Sequence, residues 1–317
     1  GRAMNWLIGV ALFLLAMAFN FTGYLLPWDQ LAYWAITICT SLIGYIPVVG
    51  GPLSRLVLAG PQVGQGALTN FYALHVAVLP VATVAFTAVH FWKVRKDGGI
   101  SQPLLPEGEE GPRVRTIPNL TQREFAVAAI VIVAVVITAM TVPAPLGELA
   151  DPTHSPNPAK AAWYFVGLQE LLLHMHPLAA MALVGIVLAG LAIIPLWDRK
   201  GEDIGLYFRS KNGLRAALLG AFLAVDVVVL LVIADEYWLD LPSLMPSLPM
   251  LISSGLVPLI LTLLGLAAIY LLMRLVFKAN RSEGLVGLFA FMVAGLIMLT
   301  IVGNLFRGPN MALVLPF

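Results

Sequence analysis

Hydrophobic positions in this chain fall into long unbroken runs, neither the alternation of a half-buried strand nor the narrow stripe of a surface helix. Uncharged or nearly uncharged stretches occur at about 6–26, 71–92, 125–142, 177–197, 216–234, 250–273 and 285–306. Each approaches twenty residues, the length that carries an α-helix across about 30 Å of hydrocarbon. Transmembrane strands would be about half as long and would alternate in polarity. The pattern therefore predicts an all-α integral membrane protein with about seven transmembrane helices.

Residues 31–49 are apolar enough to form an eighth span, but Pro27 precedes them and "IPVVGGP" closes them. Those breakers favour short interfacial helices in the first outer loop. Segment 97–123, rich in Gly, Pro and charge, reads as a cytoplasmic linker between a module at 1–96 and a second at 124–317. Just beyond it, "NLTQRE" predicts a helix start with Thr121 as N-cap and Glu124 three residues on.

Composition reinforces the membrane reading: 60% of residues are hydrophobic and only 11% charged, against about 25% charged in a soluble domain. A net charge of +1 gives no basic surface suited to nucleic acid. One cysteine, Cys39, excludes an intrachain disulfide, a CxxCH haem attachment and a thiolate cluster; it is expected as a small buried apolar residue. With seven spans, Arg2 shares a side with the loops 93–124, 198–215 and 274–284, giving 15 of the 18 Lys and Arg; Arg55, Lys160 and Arg307 lie opposite. The positive-inside bias then puts the N-terminus in the cytoplasm and segments 27–70, 143–176 and 235–249 outside. Eight spans would divide the same 18 residues 14 to 4, so charge alone leaves the alternative open. Gly1-Arg2 leads straight into the first apolar run without Met or a signal-peptide pattern, so the chain is expected to be a fragment or a split subunit.

Two of the five histidines, His75 and His90, lie in the apolar run "YALHVAVLPVATVAFTAVHFWKVRK" at 72–96. Fifteen residues on an α-helix leave an angular offset of about 60° and an axial separation of about 22 Å. Both imidazoles thus point to nearly one face at opposite depths. They cannot share a metal, although each could serve its own; the alternative is two polar groups satisfied by neighbouring helices. Two stacked haems, each with one axial imidazole from this helix and one from another, would explain both face and separation. His154, His174 and His176 fall in or beside the outer loop 143–176 and offer no partner at those depths. The chain then supplies one side of two bis-histidine sets.

The first hundred residues resemble cytochrome b, the haem subunit of quinol:cytochrome c oxidoreductases, over its third and fourth helices. The resemblance is carried by "RAMNWLIGV", "GYLLPWDQLAYWA", "IPVVGGPL", "VGQGALTNFYALH" and a second histidine followed by "KVRK", in the family's order. Fourteen residues between the histidines look like the chloroplast-type, split or menaquinol forms, other members having one fewer. The resemblance implies that His75 ligates a low-potential haem near the outer face and His90 a high-potential haem near the inner one. It implies that Gly9 and Gly23 let haem edges approach the backbone, with Arg2 and Trp6 near the inner haem and Arg2 placed for a propionate.

Residues 157–172, "NPAKAAWYFVGLQELL", stand where the family's outer quinol motif PEWY is expected. Ala161-Ala162 replace Pro-Glu, while Trp163 and Tyr164 remain. Glu170 is the nearest acid and is expected to substitute as proton acceptor; otherwise it is a solvated acid at the loop edge. Asp226, inside the fifth span, is expected to be protonated or paired. Trp28, Tyr33 and Trp34 fit an interfacial aromatic belt.

The resemblance further implies a subunit that oxidises quinol at the outer face of a bacterial-type inner membrane and passes electrons across it through two b haems, contributing to a proton gradient. Its implied partners are a Rieske iron–sulfur protein, a c-type cytochrome and the two preceding cytochrome b helices, in a dimeric complex. The altered motif points toward menaquinone, and 285–306 is an additional C-terminal helix. The alternative is a di-haem membrane anchor of another quinone-linked complex, without bifurcation.

Overall fold

Seven helices are long and apolar enough to cross a membrane in a computed structural model that describes residues 2–97, 99, 115–197 and 210–315. They are α1 (Arg2–Tyr24), α4 (Gln65–Lys96), α5 (Thr121–Thr141), α7 (Pro177–Trp197), α8 (Lys211–Tyr237), α9 (Leu251–Val276) and α10 (Arg281–Leu305). Shorter helices α2 (Gln30–Ile43), α3 (Gly50–Leu58) and α6 (Val166–His174) lie between them. Among the described residues no sheet forms, only isolated bridges at Asp29–Leu149 and Arg307–Leu313. Most of the 97–123 linker lies outside the described residues.

The possible eighth span is the 14-residue α2, about 21 Å long at 1.5 Å per residue and too short to cross. Asp29 caps it by accepting from the Ala32 amide at 2.8 Å. Tyr33 is only 5% exposed, in a core with Leu25, Ile36 and Phe71 against which Trp28 and Trp34 pack. These aromatics therefore build a packed junction, a correction to the expected belt. Apolar contact with α1 and α4 was available to them, and burying a ring there removes more surface from water than an interfacial position does.

α5 begins at Thr121 as expected, but without the expected cap. Thr121 is already helical, so its hydroxyl turns back toward the Thr116 and Pro118 carbonyls, each at 3.4 Å. A reciprocal capping box forms instead at α10, between Asn280 and Glu283.

Two spans widen into π turns just ahead of a proline. Leu74–Val78 precedes Pro80 in α4, and Leu251–Leu256 precedes Pro258 in α9. Proline brings no N–H to the helix ladder and crowds the carbonyl four residues back. Bonding five residues back, Leu79 N–H to Leu74 C=O and Val257 N–H to Ile252 C=O, accommodates it. Close packing of α8 on α10 rests on small residues: a Cβ on Gly220 would lie 2.3 Å from the Gly287 carbonyl oxygen.

Candidate functional site

α1 lies along α4 so that each imidazole of α4 faces a glycine of α1. A Cβ on Gly23 would stand 2.6 Å from His75 Cε1, and one on Gly9 would stand 3.7 Å from His90 Cε1. His75 Nδ1 lies 3.1 Å from the Thr22 hydroxyl, which itself donates to the Ala18 carbonyl at 2.8 Å. With its own proton on Ala18, that hydroxyl accepts from Nδ1–H, an arrangement that leaves Nε2 with a lone pair: the tautomer a metal ligand needs. His90 Nδ1 is buried without a hydrogen-bond partner, an orphan that calls for an explanation in a ligand.

An open cavity of about 490 Å³ lies beside His90, lined by Arg2, Trp6, Gly9 and Asp97 among others. Trp6 is fixed there by its indole N–H, which donates to the Leu191 carbonyl of α7 at 2.8 Å. The structure thus brings Arg2, Trp6, Gly9 and His90 together, and separately Gly23 and His75. The donor set fits haem, because each level offers one imidazole of the kind that ligates its iron. Among the described residues no group of three or more His, Cys, Asp or Glu gathers as a metal site.

The altered quinol motif sits beside the His75 level. Tyr164 donates its hydroxyl to the Asn20 carbonyl at 2.7 Å, and its ring meets Tyr24, Trp163 and Phe165. Burial pushes the Tyr164 phenol well above its ordinary value, with Tyr24 and Cys39 adding to the shift, so it stays a neutral donor. Trp163 is 70% exposed at the same end. The loop ahead of them is clamped by Gln169, which accepts from the Ala161 amide at 2.6 Å and donates to the Ala159 carbonyl at 2.7 Å.

Glu170 is fully buried, not a solvated acid, and its polar partners are Arg307 and His174 rather than Tyr164. Arg307 Nε donates to both carboxylate oxygens at 3.0 and 3.1 Å, and Nη2 to Oε1 at 2.7 Å. The Arg307 Nη1 donates to Glu236 at 2.7 Å and to the Met311 carbonyl at 2.9 Å. Burial would raise the Glu170 pKa, but the bonds and charges of His174 and Arg307 hold it below the ordinary carboxylate value. α6 reaches this position because Gly303 of α10 has no side chain: a Cβ there would stand 2.3 Å from Val166 Cγ1.

His174, Asp235, Glu236 and Arg307 were not singled out from sequence. Signals existed: Glu170 and His174 are four apart on one helix, and Arg307 is one of only three basic residues on its side. Asp226 lies on an exposed face of α8 and makes no hydrogen bond or ion pair among the described residues. Of the two expected states of Asp226, protonated or paired, pairing is not seen among the described residues.

Residues 1–148 match the family described as cytochrome b (N-terminal)/b6/petB. Cytochrome b6 of Gracilaria tenuistipitata var. liui is 50% identical over 103 residues, covering 32% of this chain and 47% of that protein. Cytochrome b6 of Pyropia yezoensis is 48% identical over the same share of each. The chain spans about half the length of these curated relatives. A solved structure described as hyperthermophilic respiratory Complex III shares the fold, with a TM-score of 0.58 and 18% identity over 96% of this chain and 70% of that one. Over residues 1–148, then, the chain is similar to the N-terminal module of cytochrome b and cytochrome b6.

Proposed function

We propose that this chain is the haem b subunit of a membrane quinol:cytochrome c oxidoreductase that oxidises quinol at the face carrying Trp163, Tyr164 and Glu170. The observation that carries this reading is the pair of imidazoles at two depths of α4, each set against a glycine of α1. His75 and His90 would each hold a b-type haem, and Arg2 at the cavity beside His90 would meet its carboxylates. Bound there, the haems supply reversible one-electron chemistry, which separates the two electrons of a quinol. Tyr164, a neutral donor anchored on Asn20 beside the His75 level, would orient the quinol, and exposed Trp163 would supply an aromatic wall. Partner histidines for the haems would come from other cytochrome b helices, and the electrons would leave to a Rieske protein and a c-type cytochrome. Quinol protons released at the Glu170 face would add to a proton gradient.

Replacing His75 and His90 singly with Ala, in the intact complex, tests this reading. Each variant should lose one of two b-type components in a reduced-minus-oxidised spectrum, and the His75 variant should also lose quinol oxidation. Two variants with wild-type spectra would refute it.

A further inference from the structure

His174 closes α6 with its ring held between two carboxylates. Nδ1 lies 2.7 Å from Asp235 Oδ2, and Nε2 lies 3.2 Å from Glu170 Oε1. A neutral imidazole has a single N–H, so one of these contacts would set a ring lone pair against an oxyanion; only the imidazolium donates at both nitrogens. Glu170 has no need of that proton, because Arg307 already satisfies its carboxylate. Glu170, Asp235 and Glu236 against Arg307 leave two net negative charges, which a proton on His174 reduces to one.

The remaining groups near this end do not compete for the ring. Lys160 donates to the Asn304 carbonyl at 2.8 Å. His176, just ahead of α7, packs its ring on Tyr45, and the charged residues of α10, Arg281 and Glu283, stand at its opposite end. Along the three groups, side-chain exposure rises from 0% at Glu170 through 13% at His174 to 35% at Asp235. The line runs from dry interior to surface.

We infer that His174 is the outward proton carrier of this site, receiving a proton at Nε2 by way of Glu170 and giving one up at Nδ1 to Asp235. The inference rests on the quinol-oxidising role proposed above. In each cycle the imidazolium passes its Nδ1 proton to the Asp235 carboxylate, which releases it to water and leaves the Nε2–H tautomer. Tautomer exchange moves that proton to Nδ1, and a proton from a quinol hydroxyl, relayed over the Glu170 carboxylate, then protonates the freed Nε2 and restores the imidazolium. One proton enters and one leaves, with no change in bonding elsewhere. Burial would lower the His174 pKa, yet the hydrogen bonds and charges of Glu170 and Asp235 raise it above the ordinary histidine value. Arg307 is a positioning residue here: it keeps Glu170 an anion, so the carboxylate passes a proton on rather than storing it.

The test uses the complete complex, with an infrared pH titration on ring-labelled histidine run beside the pH profile of quinol oxidation, in wild type, Asp235→Asn and His174→Gln. A signal absent from His174→Gln should titrate above pH ~6.5 in wild type. It should fall by about one pH unit or more in Asp235→Asn, where the charge is lost but the shape is kept. The acidic limb of the turnover profile should move with it, and His174→Gln should lose about a hundredfold in turnover, the usual worth of a positioned proton carrier. A ring neutral below that pH, an Asp235→Asn complex with neither midpoint moved, or a His174→Gln complex with a wild-type profile each overturns the inference. If His174→Gln fails to assemble, Asp235→Asn decides alone. A wild-type complex that titrates as expected but oxidises no quinol refutes the proposed function, not the imidazolium bridge.

Discussion

Substituting Gly23 by Ala tests the packing of α1 on α4 at its tightest point. The new methyl would stand 2.6 Å from His75 Cε1, 3.2 Å from Nδ1 and 3.4 Å from Nε2. Carbon atoms settle about 3.5–4.0 Å apart, so the ring must retreat by about 1 Å. That retreat stretches the 3.1 Å bond from Nδ1 to Thr22 to about 4 Å, outside hydrogen-bonding reach. Overpacking of this kind costs about 1–3 kcal/mol, and loss of the bond that orients a ligating imidazole weakens metal retention by about 10–100-fold. Gly9→Ala is the internal control, since its methyl would meet His90 at 3.7 Å, an ordinary contact. In reduced-minus-oxidised spectra with redox titration of the intact complex, Gly23→Ala should lose or shift one b-type component while Gly9→Ala keeps both. If Gly23→Ala retains both components at wild-type potentials, the proposed use of that glycine is wrong.

Arg307→Met would leave the buried Glu170 carboxylate with His174 but without its guanidinium and should cost about 3–5 kcal/mol, read as a fall in thermal midpoint. Adding Glu170→Gln should recover much of that loss, and a double variant as unstable as the single would argue against the pair. Gln169→Leu removes two hydrogen bonds to the loop before Trp163, costing about 1–3 kcal/mol and raising KM for quinol more than it lowers kcat. The stability of this end of the bundle should also depend on pH with two limbs. His174 has a raised pKa when folded, so its contribution is complete below its unfolded value of about 6.5 and fades as pH rises through the folded one. Glu170 has a lowered pKa, so its contribution is complete above about 4.3 and fades as pH falls through the folded value. Thermal midpoints should therefore plateau between those two values; a midpoint rising steadily with alkalinity would contradict the assignment.

Seven spans were legible because a hydrophobic run of membrane length is a local property, readable without knowing what packs against it. The shared face of His75 and His90 was legible for the same reason. Tyr33 was misread because an aromatic near an apolar boundary suits both a belt and a core, and only the arrival of Phe71 from α4 decides. The partners of Glu170 were hidden by distance along the chain: Arg307 lies 137 residues away and Asp235 lies 61 from His174. Spacing can show that Glu170 and His174 share a helix face, but not which cation closes on it. Thr121 and Asn280 mark the limit of capping signals, since both sequences offer an N-cap followed three residues later by Glu, and only one places the side chain ahead of its helix.

The π turn at Leu74–Val78 changes what the spacing of the histidines means. Gly9 and Gly23 are fourteen residues apart on α1, while His75 and His90 are fifteen apart on α4, yet each pair meets. On uniform α-helices the two intervals would differ by about 100° of rotation; the widened turn takes up the surplus residue. The surplus residue between the two imidazoles is thus confined to one place in the helix. Deleting Ala77 removes the surplus and preserves both facings, whereas deleting Val84 swings His90 by about 100° away from Gly9. The interval between the two histidines behaves as a spacer with one adjustable joint, set within a single turn of His75.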